Sequence, residues 1–309
     1  MLAQKKHLLL WIIWLFGSWI YAQEKVHFKL NLAKGQSFTV AQTVNTGSSQ
    51  EINGQTSTTD IIVKETHQYS VLKVTDVEMV LDMQKTDFEL SMNRGGGMFS
   101  STVSPQQADD LNPLSPATQM AAMLNRTVTV HLSPEGKVMS VLHIDDMVKA
   151  FDKKLKKGAS KENRATVLAQ FKEMCNEDVF KNYVEQLTDF YPSNPVAIGE
   201  QWTVQNGRHT NTCTLQAITD ITCVITCEGI YQSDSTSQTE IGGMATYTNG
   251  RGTQTAEIIM DKKSGLPVQY VTVGQTAGEM VMVKDGKELL RNPVESSSTT
   301  EVTVKLQER

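Results

Sequence analysis

The sequence predicts a mainly β protein of the β-rich α+β kind, in which a large curved antiparallel sheet or half-barrel carries a central helical insertion packed on one face. Three patterns carry that prediction. Apolar and polar residues alternate with period two along much of the chain, Asn-Gly and Asp-Gly dipeptides punctuate the alternation, and the period turns helical between about Ile144 and Tyr191.

At the amino end, Lys5 and Lys6 precede an apolar run from Leu8 to Ile20 that ends at Tyr21-Ala22-Gln23. This is the form of a secretory signal peptide over 1–22, cut between Ala22 and Gln23. The run is shorter than the about 20 apolar residues of a membrane span. Ile20 is bulkier than the small-residue rule prefers, so an uncleaved anchor stands as the alternative, and no Cys lies near the cut to take a lipid. The mature chain, 23–309, reads as a single β-rich domain, or as β halves 23–143 and 195–309 joined by helices over 144–191.

The alternations Val26, Phe28, Leu30, Leu32, then Phe38, Val40, then Val77, Met79, Leu81, Met83 predict half-buried antiparallel strands. Asn53-Gly54, Asn206-Gly207, Asn249-Gly250 and Asp285-Gly286 offer the positive φ that two-residue hairpins need. Pro134-Glu135-Gly136 and Lys263-Ser264-Gly265 predict two more hairpins. Ile144, Met147, Val148, Phe151 and Leu155 fall at helix spacing, with Asp145 and Asp146 at the start and lysines at the end, as the helix dipole favours. A second helix is expected from Ser160, a third from Asn176, and a short helical turn within Ala117 to Leu124. Arg94 to Pro116, rich in Gly and Pro, reads as a long loop whose apolar tip, Met98 and Phe99, is either merely mobile or a lid over a cavity. Ala33 to Val40 and Ala197 to Val204 share A-x-G-x-x-aromatic-T-V, which convergent turn chemistry or an internal duplication would explain.

Composition limits the function. Of 309 residues, 39% are hydrophobic and 20% charged, an ordinary globular mixture. Without the leader, 27 basic residues face 34 acidic ones, a formal charge of −7, which argues against nucleic acid as a partner. Only Trp202 of the four Trp survives, so there is no indole platform for sugars or bases.

KGQSF at Lys34 to Phe38, VTD at Val74 to Asp76, TVTVHLSPEGKV at Thr127 to Val138, YPSNPVAIGEQW at Tyr191 to Trp202 and DKKSGLP at Asp261 to Pro267 occur in one order along the chain. In this the mature chain resembles an uncharacterised family of secreted Bacteroidota proteins. That resemblance implies a Gram-negative periplasmic or secreted setting and carries over no active residue. A more distant likeness, at the level of fold, is to lipoprotein carriers of the LolA and LppX type, in which a curved sheet backed by helices encloses an apolar cavity.

Four cysteines in an exported chain predict disulfides. Cys223 and Cys227 lie about 13 Å apart on one strand and cannot bond each other. Cys213 is expected opposite Cys227 across a hairpin, leaving Cys175 with Cys223, and buried free thiols are the alternative. No His pair has metal spacing, and no phosphate loop, nucleophile elbow or dinucleotide fingerprint is present, so neither a metal nor a cofactor is expected. Asp109-Asp110 and Asp145-Asp146 are adjacent acids better read as solvated than catalytic. Met79, Met83, Met92, Met280 and Met282 on strands, with Met120 and Met123 on the short helix, would suit an adaptable apolar cavity or an ordinary core.

The expected function is an exported, non-enzymatic binding or envelope-interaction protein, in its sharpest form holding a lipid or other apolar small molecule between sheet and helices. Alternatives are a structural envelope protein that binds a partner protein without a small-molecule site, and a hydrolase whose acids converge only in three dimensions.

Overall fold

The computed structural model describes residues 24–52, 55–94, 97–103, 116–158, 160–206, 209–232, 238–241, 244–284 and 287–307. The leader, its cut at Ala22 and Gln23, and residues 104–115 of the expected loop lie outside them. The elements are β1 (Lys25–Val26), β2 (Ser37–Ile52), β3 (Gln55–Val74), β4 (Met79–Arg94), β5 (Gly97–Val103), α1 (Pro116–Met123), β6 (Thr127–Leu132), β7 (Val138–Leu142), α2 (Ile144–Gly158), α3 (Lys161–Met174), α4 (Glu177–Glu185), β8 (Val196–Ala197), β9 (Gln201–Asn206), β10 (His209–Ile218), β11 (Thr222–Gln232), β12 (Gln238–Ile241), β13 (Met244–Asp261), β14 (Pro267–Lys284) and β15 (Lys287–Gln307).

One 13-stranded antiparallel sheet dominates, in the order β7-β6-β4-β3-β2-β15-β14-β13-β11-β10-β9, with β5 on β4 and β12 on β13 beside that path. It is not closed, because β7 and β9 remain as edges. The ladders reach Ile52↔Gln55, Asn206↔His209 and Lys284↔Lys287, so the strands flanking three of the four Gly dipeptides pair as expected. Asn249-Gly250 is the correction: it lies inside β13, with Gly250 opposite Gly278 of β14. There the missing Cβ serves close approach of two strands, since a Cβ on either glycine would run into the other strand's backbone.

The helices start and pack as their sequence dictates. Ser160 and Asn176 cap α3 and α4, accepting from the Asn163 and Val179 N–H groups. Met147, Phe151 and Leu155, one stripe of α2, are buried. With Phe171 of α3 and Val184 of α4 they fill a core against Phe38, Tyr69, Leu81 and Met83 on the sheet. A second core gathers Phe28, Phe190, Cys213, Leu215, Ile225, Ile258 and Met260, and Tyr270 packs against both. Val26, Phe28, Leu30 and Leu32 do not form the predicted strand beyond Val26; Phe28 packs into the second core and Leu32 into the first, so the segment straps the two together. Apolar alternation here reflects burial without a ladder.

The short sequence echo is a structural repeat. Gly35 and Gly199 both take left-handed φ, 80° and 83°, and their N–H groups donate to Val71 and Leu215 carbonyls, each at 2.8 Å. Ala33 N donates to Gln36 Oε1 and Ala197 N to Glu200 Oε2. The next turns match as well: Thr75 N donates to Glu78 O and Thr219 N to Thr222 O, both at 2.8 Å. Even the bulges coincide, between Val71 and Lys73 and between Leu215 and Ala217. The set β2-β3-β4-β6-β7 is therefore repeated by β9-β10-β11-β13-β14, both running the same way across the sheet with β15 between them.

Candidate functional site

The repeat places Cys213 and Cys227 where the first half has Tyr69 and Met83, each pair directly opposed in its ladder. Cys213 and Cys227 form the expected disulfide. Cys175 and Cys223 do not: both are free and buried, Cys175 in the first core and Cys223 in the second. Cys175 Sγ instead lies 3.2 Å from Met147 Sδ, and burial pushes its thiol up to about 11. Burial also raises Cys223, so neither is a ready nucleophile.

A charged cluster that the sequence reading passed over lies inside the sheet. Glu65 and His67 of β3 follow the inward parity of Tyr69 and Val71, and Lys85 of β4 that of Met79, Leu81 and Met83. Lys85 Nζ is 3.1 Å from Glu65 Oε2 and donates to Tyr183 Oη of α4 at 3.2 Å. Tyr183 Oη in turn donates to Glu65 Oε1 at 3.4 Å. Glu65 Oε2 accepts no aligned hydrogen bond, so its link to Lys85 is coulombic in character. His67, 0% exposed, sets its ring 4.5 Å from that of Tyr183 at a tilt of 52°; its Nε2 lies 3.6 Å from Glu65 Oε2, and neither ring nitrogen has a hydrogen-bond partner. Burial, and then the Lys85 charge, bring His67 down to about 3, so the imidazole is neutral. Burial and the Glu65 carboxylate raise Tyr69 and Tyr183. This pair, nearly buried and joined by the Tyr183 hydroxyl, ties α4 to the sheet; removing one partner would leave a buried charge alone. The signal in the sequence was a Lys in phase with a buried Met-Leu-Met alternation.

Beyond this cluster the inner face continues past α2–α4, with α1 packed against part of it. Val44, Val63 and Leu90 share one rung and Ile61 and Met92 the next, all half-buried. Met120 of α1 packs beside Val63, Leu90 and Phe88. Across β13, β14 and β15 the same face carries Gln254, Gly274, Thr272, Ser298 and Thr300. The open face is thus apolar on one side and hydroxyl-rich on the other.

The predicted methionine set separates accordingly. Met79, Met83 and Met123 are packed core residues; Met92 and Met120 border the open apolar strip; Met280 and Met282 sit near the far end of β14. Among the described residues they are spread over these places, and between sheet and helices Phe38, Tyr69, Phe151, Phe171 and Leu155 are fully buried. Met98 and Phe99 are not a loop tip either: both lie in β5, opposite Asn93 and Met92 of β4. The concavities lie elsewhere on the molecule. One of about 850 Å³ lies over Asp60, Gly47, Ser297, Gln275 and Thr253, a rung on the outer face. Another, of about 490 Å³, gathers Asp82, His143 and Asp146 at the start of α2. No group of acids, His and Cys among the described residues is arranged to hold a metal ion.

No curated protein matches the chain. Among solved structures it is similar to lipovitellin, from a study of lipid–protein interactions, at 10% identity and TM-score 0.47, over 90% of this chain and 26% of that one. It is also similar to the COG4313 outer membrane channel of Pseudomonas putida F1, at 10% identity and TM-score 0.26 over 89% and 97% of the chains, and to the outer membrane protein OprG of Pseudomonas aeruginosa, at 6% and 0.24 over 88% and 95%. The chain spans about a quarter of the lipovitellin chain, and all three scores lie below those of a shared fold. Residues 76–267, more than half of the sequence, match the family of unknown function DUF6263, and the chain belongs to that family.

Proposed function

We propose that the protein is an exported, non-enzymatic binding module that holds a lipid-like amphiphile on the inner face of its sheet beyond α2–α4, beside α1. The observation that carries this reading is the division of that face: Val44, Ile61, Val63, Leu90 and Met92 stay half-exposed beside a Ser/Thr/Gly field on β13–β15. An apolar chain would take the first surface out of water and a polar head would find hydroxyl partners on the second. The site lies beyond α2–α4, since the sheet residues beneath them are buried. Export is supported by the leader-like amino end and by the Cys213–Cys227 disulfide, and no helix among the described residues is long and apolar enough to cross a membrane.

Native mass spectrometry of the mature protein, purified from cells that export it, tests this. The expected spectrum carries a bound amphiphile that disappears in Val63→Glu/Leu90→Glu while the far-UV dichroism stays that of a β protein. A wild-type protein with no adduct, or an adduct indifferent to the double substitution, refutes it. Exposed Ile230, Val273 and Leu289 favour a second reading, a protein partner; a single persistent cross-linked species in intact cells would support that one.

A further inference from the structure

The two repeats are not completed alike. In the first, β15 covers the outer edge of β2, pairing antiparallel from Ser37↔Gln307 to Gln50↔Val294. In the second, the equivalent strand β9 pairs only with β10 among the described residues. Burial follows that difference. Phe38 and Val40 are 1% and 0% exposed, whereas their counterparts Trp202 and Val204 remain half-exposed.

A concavity of about 640 Å³ is lined in part by this strand. Its lining includes three consecutive residues of β9, Thr203, Val204 and Gln205. β9 is the terminal strand of the sheet, so alternate N–H and C=O groups of these residues point away from β10. The lining of the concavity also includes Phe28, Lys29 and Lys137. The other edge of the sheet is treated differently: the Val138 N–H of β7 donates to Glu185 Oε1 of α4 at 3.0 Å, so a helix side chain caps it.

We propose that the free edge of β9 is a strand-acceptor site, taking an extended polypeptide segment of a partner protein antiparallel to β9 in the place that β15 fills on β2. Backbone ladders give such a site its affinity, and alternate side chains its selectivity. β15 shows the pattern required, setting Leu306 against Phe38 and Val304 against Val40, so the partner segment carries aliphatic residues at every second position. A single strand suits this concavity; a second copy of this chain would bring β10 along with its β9. The site is separate from the inner face proposed above and does not depend on what that face holds.

The probe is acetyl-TEVTVKLQ-amide, the sequence of residues 300–307, offered to the full mature protein and followed by amide hydrogen exchange. At about ten times its dissociation constant, the peptide is expected to slow exchange within Gln201–Asn206 about tenfold. Two twins, N-methylated on odd or on even residues, separate a ladder from side-chain binding, because only alternate peptide N–H groups face β9. One twin should lose the effect and the other keep it. No slowing at β9, or twins that both match or both lose the parent's effect, overturns the proposal; protection confined to the inner-face residues of β2–β4 overturns it too and assigns the peptide to the other surface.

Discussion

A neutral imidazole with no hydrogen-bond partner, His67, sits against a Lys–Glu pair on the inner face of the sheet. Its folded state resists protonation down to about 3, while an unfolded chain takes the proton near 6.5. The unfolded state therefore binds more protons between those values, and the sign follows: this contribution is whole above pH 6.5 and stability falls as the pH drops toward 3, by at most about 1.4 kcal/mol per pH unit. His67→Leu should flatten that part of the profile, measured as the difference in urea midpoint between wild type and variant at pH 7, 6 and 5. Parallel profiles would mean that the ring is hydrated. Neither the burial of His67 nor the partnership of Lys85 was legible from the local sequence, because a polar residue in an inward position is indistinguishable from a pattern error until the facing element is known. Tyr183, on α4, supplies that face from 98 residues beyond Lys85 and 118 beyond Glu65.

At the scale of elements, most boundaries followed from local chemistry. The Asn176 cap, the Met147-Phe151-Leu155 stripe and the left-handed glycines at 35, 136, 199 and 265 each settle a conformation within a few residues. The failures share another cause. Gly250 reads as a hairpin glycine from its neighbours, yet it is required where β13 and β14 approach each other, and Met98-Phe99 reads as a loop until β4 offers a ladder. The glycine account is open to measurement. A Cβ at Gly278 would meet the Asn249 carbonyl and the Gly250 Cα, which are backbone and yield little, whereas at Gly274 the nearest atom is the mobile Ser298 Oγ at 3.0 Å. Gly278→Ala should thus cost about 1–3 kcal/mol in urea denaturation, and Gly274→Ala distinctly less. Equal costs would place the strain elsewhere.

Over the whole molecule, the strands outrun their cover. β15 has 21 residues, about 70 Å of extended chain, and the packed cores lie near one end of it, at Val302 and Val304. Amides around Phe38, Tyr69, Leu81 and Val302 should therefore exchange only with global unfolding, and those around Ser48, Thr58, Thr276 and Ser296 by local opening at lower free energy. Uniform protection along β2 and β15 would show that the open half is as firmly held as the core. The sequence by itself determined the β class, the helical insertion, the caps, most turns and the Cys213–Cys227 pair, because these depend on period, φ and spacing over a few residues. Tertiary structure alone decided which strands became edges, that the second thiol pair stays apart, that an eight-residue echo is one end of a five-stranded repeat, and that a Lys is buried against a Glu, because each depends on which distant surface arrives opposite, and alternation specifies a face without naming what will cover it.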